Sequence, residues 1–113
     1  MDNMQFTFSD TIGGYVAKYE WDKRDFFRMK TADGREFEVR IGDNCYAELL
    51  RNLGEGFIDC TSQMRDMLAV GRYLYAYGIF FNDAGDWTFE AKRLVFVGRT
   101  EKEFSFEKQN WWI

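Results

Sequence analysis

The residue types that most often carry out catalysis are missing from this chain or lie in unsuitable places. No histidine occurs among its 113 residues, which excludes Ser-His and Cys-His nucleophile pairs and removes the commonest general base. Carboxylate pairs such as Asp22 with Asp25 and Asp83 with Asp86 lie in polar segments where Asp is favoured for local hydrogen bonding in turns. The sequence therefore predicts no catalytic residue and no enzyme activity within these residues.

Metal and cofactor sites are not indicated either. Cys45 and Cys60 are the only cysteines, and two thiols without histidine fall short of the four ligands of a closed zinc site. Residues 82–86 match part of a calcium loop but lack the spaced oxygen ligands and the closing Glu. We expect no metal, no cofactor and two structural thiols with apolar neighbours, as is usual in a reducing cytosol.

Three tyrosines are spaced as a binding surface would require. Tyr73, Tyr75 and Tyr77 alternate along a predicted strand, so they share one face; Arg72 precedes them, and Arg93 falls on the probable partner strand. In one interpretation the rings fill the core or meet a neighbouring domain, because aromatic residues dominate both. In the other, the five residues form a ligand face that stacks on carbohydrate or single-stranded nucleic acid.

The charge balance bears on which partners this chain would bind. Lys and Arg number 15 against 19 Asp and Glu, for a net charge of −4, and the signs are interspersed. Affinity for phosphates and for anionic membranes comes mostly from clustered Lys and Arg, so nucleic acid and membrane partners are disfavoured. The first residues do not form a signal peptide, and no run of 18 apolar residues occurs. We expect a cytoplasmic location.

The pattern of apolar residues predicts a mainly β chain with one helix. Alternation indicates strands over residues 14–21, 26–31 and 35–41, with a tight hairpin at Asp33-Gly34. The period then changes, because apolar residues at i, i+3, i+4 and i+7 predict an amphipathic helix that ends at Gly54. The helical positions are Tyr46, Leu49, Leu50 and Leu53. The residues expected to be buried in the third strand and the helix are Phe37, Val39, Ile41, Leu49, Leu50 and Leu53.

Strands return after this helix and a short helical turn near residues 62–70, in which Met64, Met67 and Leu68 are expected to face inward. They are predicted over 73–81 and 88–97, with short terminal strands at 6–8 and 104–106. Three strands, a helical connection and two strands is the element order of the OB-fold. We predict one domain over residues 1–113, an OB-fold-like five-stranded barrel with one helix between strands 3 and 4. A generic mixed β domain is the alternative.

The last three residues are unusual for the end of a folded domain. Trp111, Trp112 and Ile113 are large and apolar, whereas terminal residues are normally polar. We expect them to form an interdomain contact, with the chain being the N-terminal part of a longer protein. The alternative is that the two indoles pack within this same domain.

Several stretches resemble the N-terminal domain that precedes the catalytic domain in bacterial, notably cyanobacterial, proteins of the N-acylglucosamine 2-epimerase family. The matching stretches are FTFSDTI at residues 6–12, KTADGREF at 30–37, RNLGE at 51–55, GRYLYAYGIF at 71–80, FEAK at 89–92, FEK at 106–108 and WWI at 111–113. The resemblance implies that the chemistry resides in a downstream α/α-barrel with its own histidines, and it transfers no catalytic residue to this chain.

Two functional hypotheses follow. In the first, this is a non-catalytic accessory domain that packs against a downstream, sugar-epimerase-like catalytic domain of the same polypeptide. In the second, it is an independent binding module that presents its aromatic strand to carbohydrate or to single-stranded nucleic acid. The negative net charge makes nucleic acid the less favoured of these two ligands.

Overall fold

The computed structural model describes residues 7–20, 22–50, 56–83 and 85–100, and leaves aside the side chains of residues 83, 86, 87 and 98–100. Strands account for most of this length. The elements, in chain order, are β1 (Thr7–Tyr19), β2 (Phe26–Thr31), β3 (Glu36–Leu50), β4 (Phe57–Asp59), a 3₁₀ helix (Thr61–Met67), β5 (Arg72–Asp83) and β6 (Asp86–Thr100).

Six strands form one mixed sheet, and five of them pair in a near-barrel ring. Strand β1 pairs antiparallel with β2 and β5, β2 pairs antiparallel with β3, and β5 pairs antiparallel with β6. The ring is completed by β3 and β6, which run parallel. The short β4 adds to the outer part of β3, next to its last three residues. The prediction of a mainly β chain is confirmed.

The turn between β2 and β3 is the hairpin that the sequence predicts. Gly34 adopts a φ of 87°, a left-handed conformation that only glycine reaches without steric cost. The backbone N–H of Gly34 donates to the carbonyl of Thr31 at 3.0 Å, and the Thr31 N–H donates to the carbonyl of Arg35 at 2.9 Å. The Asp33 carboxylate accepts a hydrogen bond from the Thr31 hydroxyl. Local turn chemistry therefore fixes the β2–β3 register.

The first strand is longer than predicted. The sequence predicts two separate strands at residues 6–8 and 14–21, but β1 runs without a break from Thr7 to Tyr19. Its N-terminal half is held by β5, with Thr7 opposite Phe81 and Gly13 opposite Tyr75. A long non-local partner thus overrides the local preference of Asp and Gly for turns. The predicted short strand at 6–8 is the start of β1, apart from Phe6, which lies outside the described residues.

The predicted helix after β3 is wrong as far as residue 50. Residues 46–50 continue β3 and pair parallel with residues 93–97 of β6. Leu49 and Leu50 are both half-buried, although they point to opposite faces of β3. A strand that is covered on both faces carries apolar residues at adjacent positions, so it lacks the alternation typical of strands and can resemble a helix in its spacing. Leu53 and Gly54 lie outside the described residues. Within the described ranges, the one helix is the 3₁₀ turn at Thr61–Met67. Met64 within it and Leu68 directly after it are buried as expected, whereas Met67 is half-buried against the core.

The interior of the ring is apolar. Val39 and Ile41 are buried as predicted, whereas Phe37 and Leu49 are half-buried and pack against the core. The 3₁₀ helix contributes Met64 and Leu68. The remaining core residues are Ile12, Val16, Phe27, Met29, Cys45, Ala47, Cys60, Leu74, Ala76, Phe89, Ala91, Leu94 and Phe96.

Strands β5 and β6 approach each other closely at Gly78. A Cβ atom at this position would lie 2.1 Å from the carbonyl oxygen of Glu90, a distance that no side chain tolerates. The register of the two strands shifts between Tyr77 and Gly78, as at a β-bulge, which increases the local twist. Within the described part of the chain, no helix has the length and apolar character needed to cross a membrane.

Candidate interaction surface

The three tyrosines of β5 face outward from the ring. Leu74 and Ala76, which alternate with them, are completely buried in the core. Tyr75 is 37% exposed, and Tyr73 and Tyr77 are half-buried. The interpretation in which these rings fill the barrel interior is therefore not what the structure shows. They lie on an outer surface, where either a neighbouring domain or a ligand would meet them.

Residues from β3, β4 and β6 complete this surface. Tyr77 lies opposite Arg93 of β6, and Arg93 lies opposite Tyr46 of β3. Phe57 of β4 lies opposite Leu50 of β3. We define the aromatic face as the five rings that surround or extend from Arg93 on this outer side of the sheet: Tyr46, Phe57, Tyr73, Tyr75 and Tyr77.

Arg93 occupies the middle of the aromatic face. Its guanidinium carbon lies 4.9 Å from the ring centroid of Tyr77, 5.4 Å from that of Phe57 and 6.0 Å from that of Tyr46. These distances are in the range of cation–π contacts. The rings therefore hold the guanidinium from three sides.

A carboxylate balances the charge of Arg93. The Glu48 Oε1 atom accepts from Arg93 Nε at 2.8 Å and lies 2.6 Å from Nη2. The hydrogen bond to Glu48 raises the pKa of Arg93 above its already high usual value. The Arg93 side chain is 28% exposed and that of Glu48 is 24% exposed. The centre of the face is thus a partly desolvated ion pair with no net charge.

Tight packing gives the aromatic face a fixed shape. Val95 lies between Tyr75 and Glu48 in the strand register and is 2% exposed, although it belongs to the outer side of β6. The rings of Tyr73 and Tyr75 meet edge to face, with centroids 5.7 Å apart. The Tyr75 ring also lies against Gly13, where a Cβ would come within 3.0 Å of the Tyr75 Cε1 atom.

Arg72 and the C-terminal residues do not join this cluster in the described structure. The Nε atom of Arg72 is buried without a hydrogen-bond partner among the described residues. The Arg72 backbone N–H donates to the Ala69 carbonyl at 2.9 Å, which places Arg72 beside the segment that follows the 3₁₀ helix. The predicted interdomain residues Trp111, Trp112 and Ile113 lie outside the described residues, so their role stays a prediction.

Both cysteines have the environment of structural residues. Cys45 and Cys60 are buried free thiols. Burial raises the pKa of Cys45 to about 11, and burial is also the main reason that the pKa of Cys60 is raised. A thiol that stays protonated is a poor nucleophile. Among the described residues, no group of three or more His, Cys, Asp or Glu side chains is placed to hold a metal ion.

The carboxylates considered as catalytic pairs belong to turns. Asp25 accepts a hydrogen bond at 2.8 Å from Arg65, whose Nε also donates to the carbonyl of Arg24. This contact joins the β1–β2 turn to the 3₁₀ helix. Asp83 and Asp86 close the β5–β6 hairpin, in which the Asn82 side chain accepts from the Gly85 N–H at 3.0 Å.

Sequence reasoning missed Tyr46, Glu48 and Phe57 as members of the site. Tyr46 falls in the predicted helix, and Phe57 falls between that helix and the predicted helical turn near residues 62–70. Their proximity to Arg93 depends on the parallel pairing of β3 with β6, which joins residues 45 or more positions apart. The alternation of Tyr46, Glu48 and Leu50 was the available signal, because a strand would place these three side chains on one face.

A search of protein-family models and a search of curated proteins both find no match to this chain.

Proposed function

We propose that this chain is a non-catalytic interaction domain of OB type whose aromatic face packs against a folded protein surface. The observation that carries the proposal is the ring of aromatic side chains around the Glu48–Arg93 pair. This surface is rigid, partly apolar and electrically balanced.

Strand connectivity supports the OB assignment. Taking β5 and β6 as the fourth and fifth barrel strands, the ring order is 1-2-3-5-4 with strands 3 and 5 parallel. An OB-fold is a five-stranded Greek-key barrel, usually with a helix between its third and fourth strands. In this chain, β4 and the 3₁₀ helix occupy that connection, and the helix inserts Met64 into the core.

The composition of the aromatic face favours a protein partner over nucleic acid. Protein interfaces are enriched in Tyr, Phe and Arg and depleted in Lys, and their strongest contacts cluster around buried aromatic and Arg side chains. A nucleic-acid surface instead needs cations that remain free to neutralise phosphates. Arg93, the cation at the centre of this face, is already paired with Glu48, and the chain carries a net charge of −4.

The resemblance to N-terminal domains of the N-acylglucosamine 2-epimerase family favours one kind of partner. In that arrangement the partner is a catalytic domain of the same polypeptide. The 113-residue domain then stabilises the catalytic domain or shapes the entrance to its active site. The chemistry then belongs to the partner, because the described residues of this chain provide neither an activated nucleophile nor a metal site.

Carbohydrate is a second candidate, and Tyr75 is the residue that favours it. The Cδ1 and Cε1 atoms of its ring lie close to Gly13, and the side chain is 37% exposed. An exposed tyrosine ring that is packed along one edge can stack on a sugar. OB-folds are known to bind oligosaccharides on their strand faces.

The reading frame of the gene and a binding measurement test the proposal together. We expect the frame to continue into a folded domain, which, expressed separately, binds this chain. Tyr75→Ser and Arg93→Met should each weaken that binding by about thirtyfold, the effect of losing an interface residue worth about 2 kcal/mol. Val70→Ser is the matched control, because Val70 is 66% exposed and outside the aromatic face.

Two results would count against the proposal. A stop codon directly after Ile113 would contradict a partner in the same polypeptide. Equal affinities for Tyr75→Ser, Arg93→Met and Val70→Ser would show that the aromatic face is not the contact surface. Binding of oligosaccharides by the isolated chain, lost in Tyr75→Ser, would support the second candidate instead.

A further inference from the structure

A cleft of about 940 Å³ opens at the end of the ring opposite the 3₁₀ helix. Its apolar floor is a cluster of four phenylalanines centred on Phe80. The Phe80 ring lies 5.1 Å from that of Phe8, 5.6 Å from that of Phe37 and 4.7 Å from that of Phe89. Phe8 is 49% exposed. Phe8 is thus partly open to solvent, whereas Phe37 and Phe80 are half-buried and Phe89 is 1% exposed.

One wall of the cleft is a strand edge. Strand β1 pairs with β5 from Thr7 to Tyr15, but its pairing with β2 begins only at Gly14. Residues 7–13 therefore have a partner on one side only among the described strands. This edge is about 20 Å long at the usual rise per residue, enough for an added strand of six or seven residues.

Two hydrogen bonds show which backbone groups point into the cleft. The Gly71 N–H donates to the carbonyl of Val16 at 2.8 Å. The backbone N–H and C=O groups of the even-numbered residues of β1 therefore point toward β5. The Thr11 N–H donates to its neighbour, the Asp10 carboxylate, at 2.7 Å, on the open side. Because these groups alternate along a strand, those of Thr7, Ser9, Thr11 and Gly13 face the cleft.

The rim of the cleft has an excess of negative charge. Arg28 pairs with Glu36 at 3.3 Å, and Arg35 pairs with Asp33 at 2.9 Å. The two remaining carboxylates that line the cleft belong to Asp10 and Glu38, and neither has an ion-pair partner among the described residues. A partner that carries Lys or Arg would complement them.

We infer that this cleft is a docking site for an extended, basic segment of a partner protein, which pairs as an added strand with the open edge of β1. Its backbone bonds to the odd-numbered groups of β1, and alternate apolar side chains contact the phenylalanine cluster. Strand addition of this kind takes affinity from backbone hydrogen bonds and specificity from pockets for alternate side chains. The cleft and the aromatic face meet only at Gly13, and different contacts define them. The proposed binding at one surface can therefore be disproved while the proposal for the other stands.

Selection from a displayed library of random heptapeptides against the intact chain tests this inference. The enriched peptides should alternate apolar residues, carry Lys or Arg and lack proline. On binding the selected peptide, the backbone amides of Ser9 and Gly13 should exchange with solvent at least tenfold more slowly. The same peptide N-methylated at alternate residues should lose at least tenfold in affinity, because it can no longer pair as a strand.

Variants of the protein provide the second half of the test. Ser9→Pro removes an N–H from the open edge and leaves the β1–β5 ladder intact, so peptide affinity should fall at least tenfold. Phe8→Ser removes part of the apolar floor with a similar effect, and Val70→Ser should bind as the unaltered chain does. No enrichment in the selection, binding that survives N-methylation, or unchanged exchange at Ser9 and Gly13 would overturn the inference.

Discussion

Leu94 and Leu50 provide a comparison between a side chain inside the ring and one on its outer side. Leu94 is completely buried in the core, whereas Leu50 is half-buried next to Val97 and Phe57. Truncating a fully buried Leu to Ala costs about 2–5 kcal/mol, from lost burial and from the cavity left behind. We expect Leu94→Ala to fall in this range.

Leu50→Ala should be milder because Leu50 is only partly buried, so part of its side chain already contacts water. We expect a loss of about 1–2 kcal/mol, because less apolar area leaves the core and the outer side can relax around the truncated residue. The helix that the sequence suggested would instead place Leu50 in the core, with a cost like that of Leu94. The comparison therefore tests the strand assignment of residues 46–50.

Urea unfolding followed by circular dichroism measures both variants against the unaltered chain. The dependence of the unfolding free energy on urea should stay constant, so that shifts in midpoint report stability alone. Ile41→Val, with an expected loss of about 0.5–1.5 kcal/mol, provides a smaller calibration inside the core. Equal losses for Leu50→Ala and Leu94→Ala would refute the placement of Leu50 on the outer side of β3.

Three further predictions concern single positions. Gly78→Ala should destabilise the chain by about 1–3 kcal/mol in urea unfolding, because the added Cβ forces β5 and β6 apart; an unchanged midpoint would contradict that close approach. Hydrogen bonds from the Thr61 hydroxyl and N–H lower the pKa of Asp59 in the folded chain. The Asp59 carboxylate therefore stabilises the fold at pH values above its unfolded-state pKa, and this stabilisation is lost as the pH falls through the lower folded-state pKa. Thr61→Val should raise the Asp59 pKa toward its usual value in an NMR titration, and no change would show that the hydrogen bond does not form. Because the Cys45 pKa is raised to about 11, native Cys45 should react with a disulfide reagent at pH 8 far more slowly than in urea; equal rates would contradict its burial.

The sequence was most informative where local chemistry decides the structure. The Asp33-Gly34 hairpin needs only a residue that accepts positive φ, and it forms as predicted. The clean alternation of residues 35–41 likewise identified Val39 and Ile41 as core. Met64 and Leu68 were found from the spacing of apolar residues in a short helical turn.

The errors share one physical cause, which is pairing between distant parts of the chain. The β1–β5 ladder carries residues 10–14 through a segment rich in turn formers. The parallel β3–β6 ladder converts residues 46–50 from an apparent helix into a strand. The sequence does not show which strands pair, because the hydrogen bonds of both ladders use backbone groups that every residue carries.

The same cause limited the prediction of the site. Tyr73, Tyr75 and Tyr77 were grouped correctly because alternation within one strand is a local property. Arg93 was placed near them through the β5–β6 hairpin, which is also local in sequence. Tyr46 and Phe57 reach Arg93 only through β3 and β4, and so they could not be assigned to the site without the topology.

The aromatic face is the central claim, and its solvent accessibility in the intact polypeptide tests that claim most directly. Hydroxyl-radical footprinting with mass spectrometry would compare Tyr75 in this 113-residue chain with Tyr75 in the full product of the gene, with Val70 as the internal reference. If the face packs against another domain, the reactivity of Tyr75 falls severalfold in the full product while that of Val70 does not change. Equal reactivity of Tyr75 in the two proteins would contradict the account.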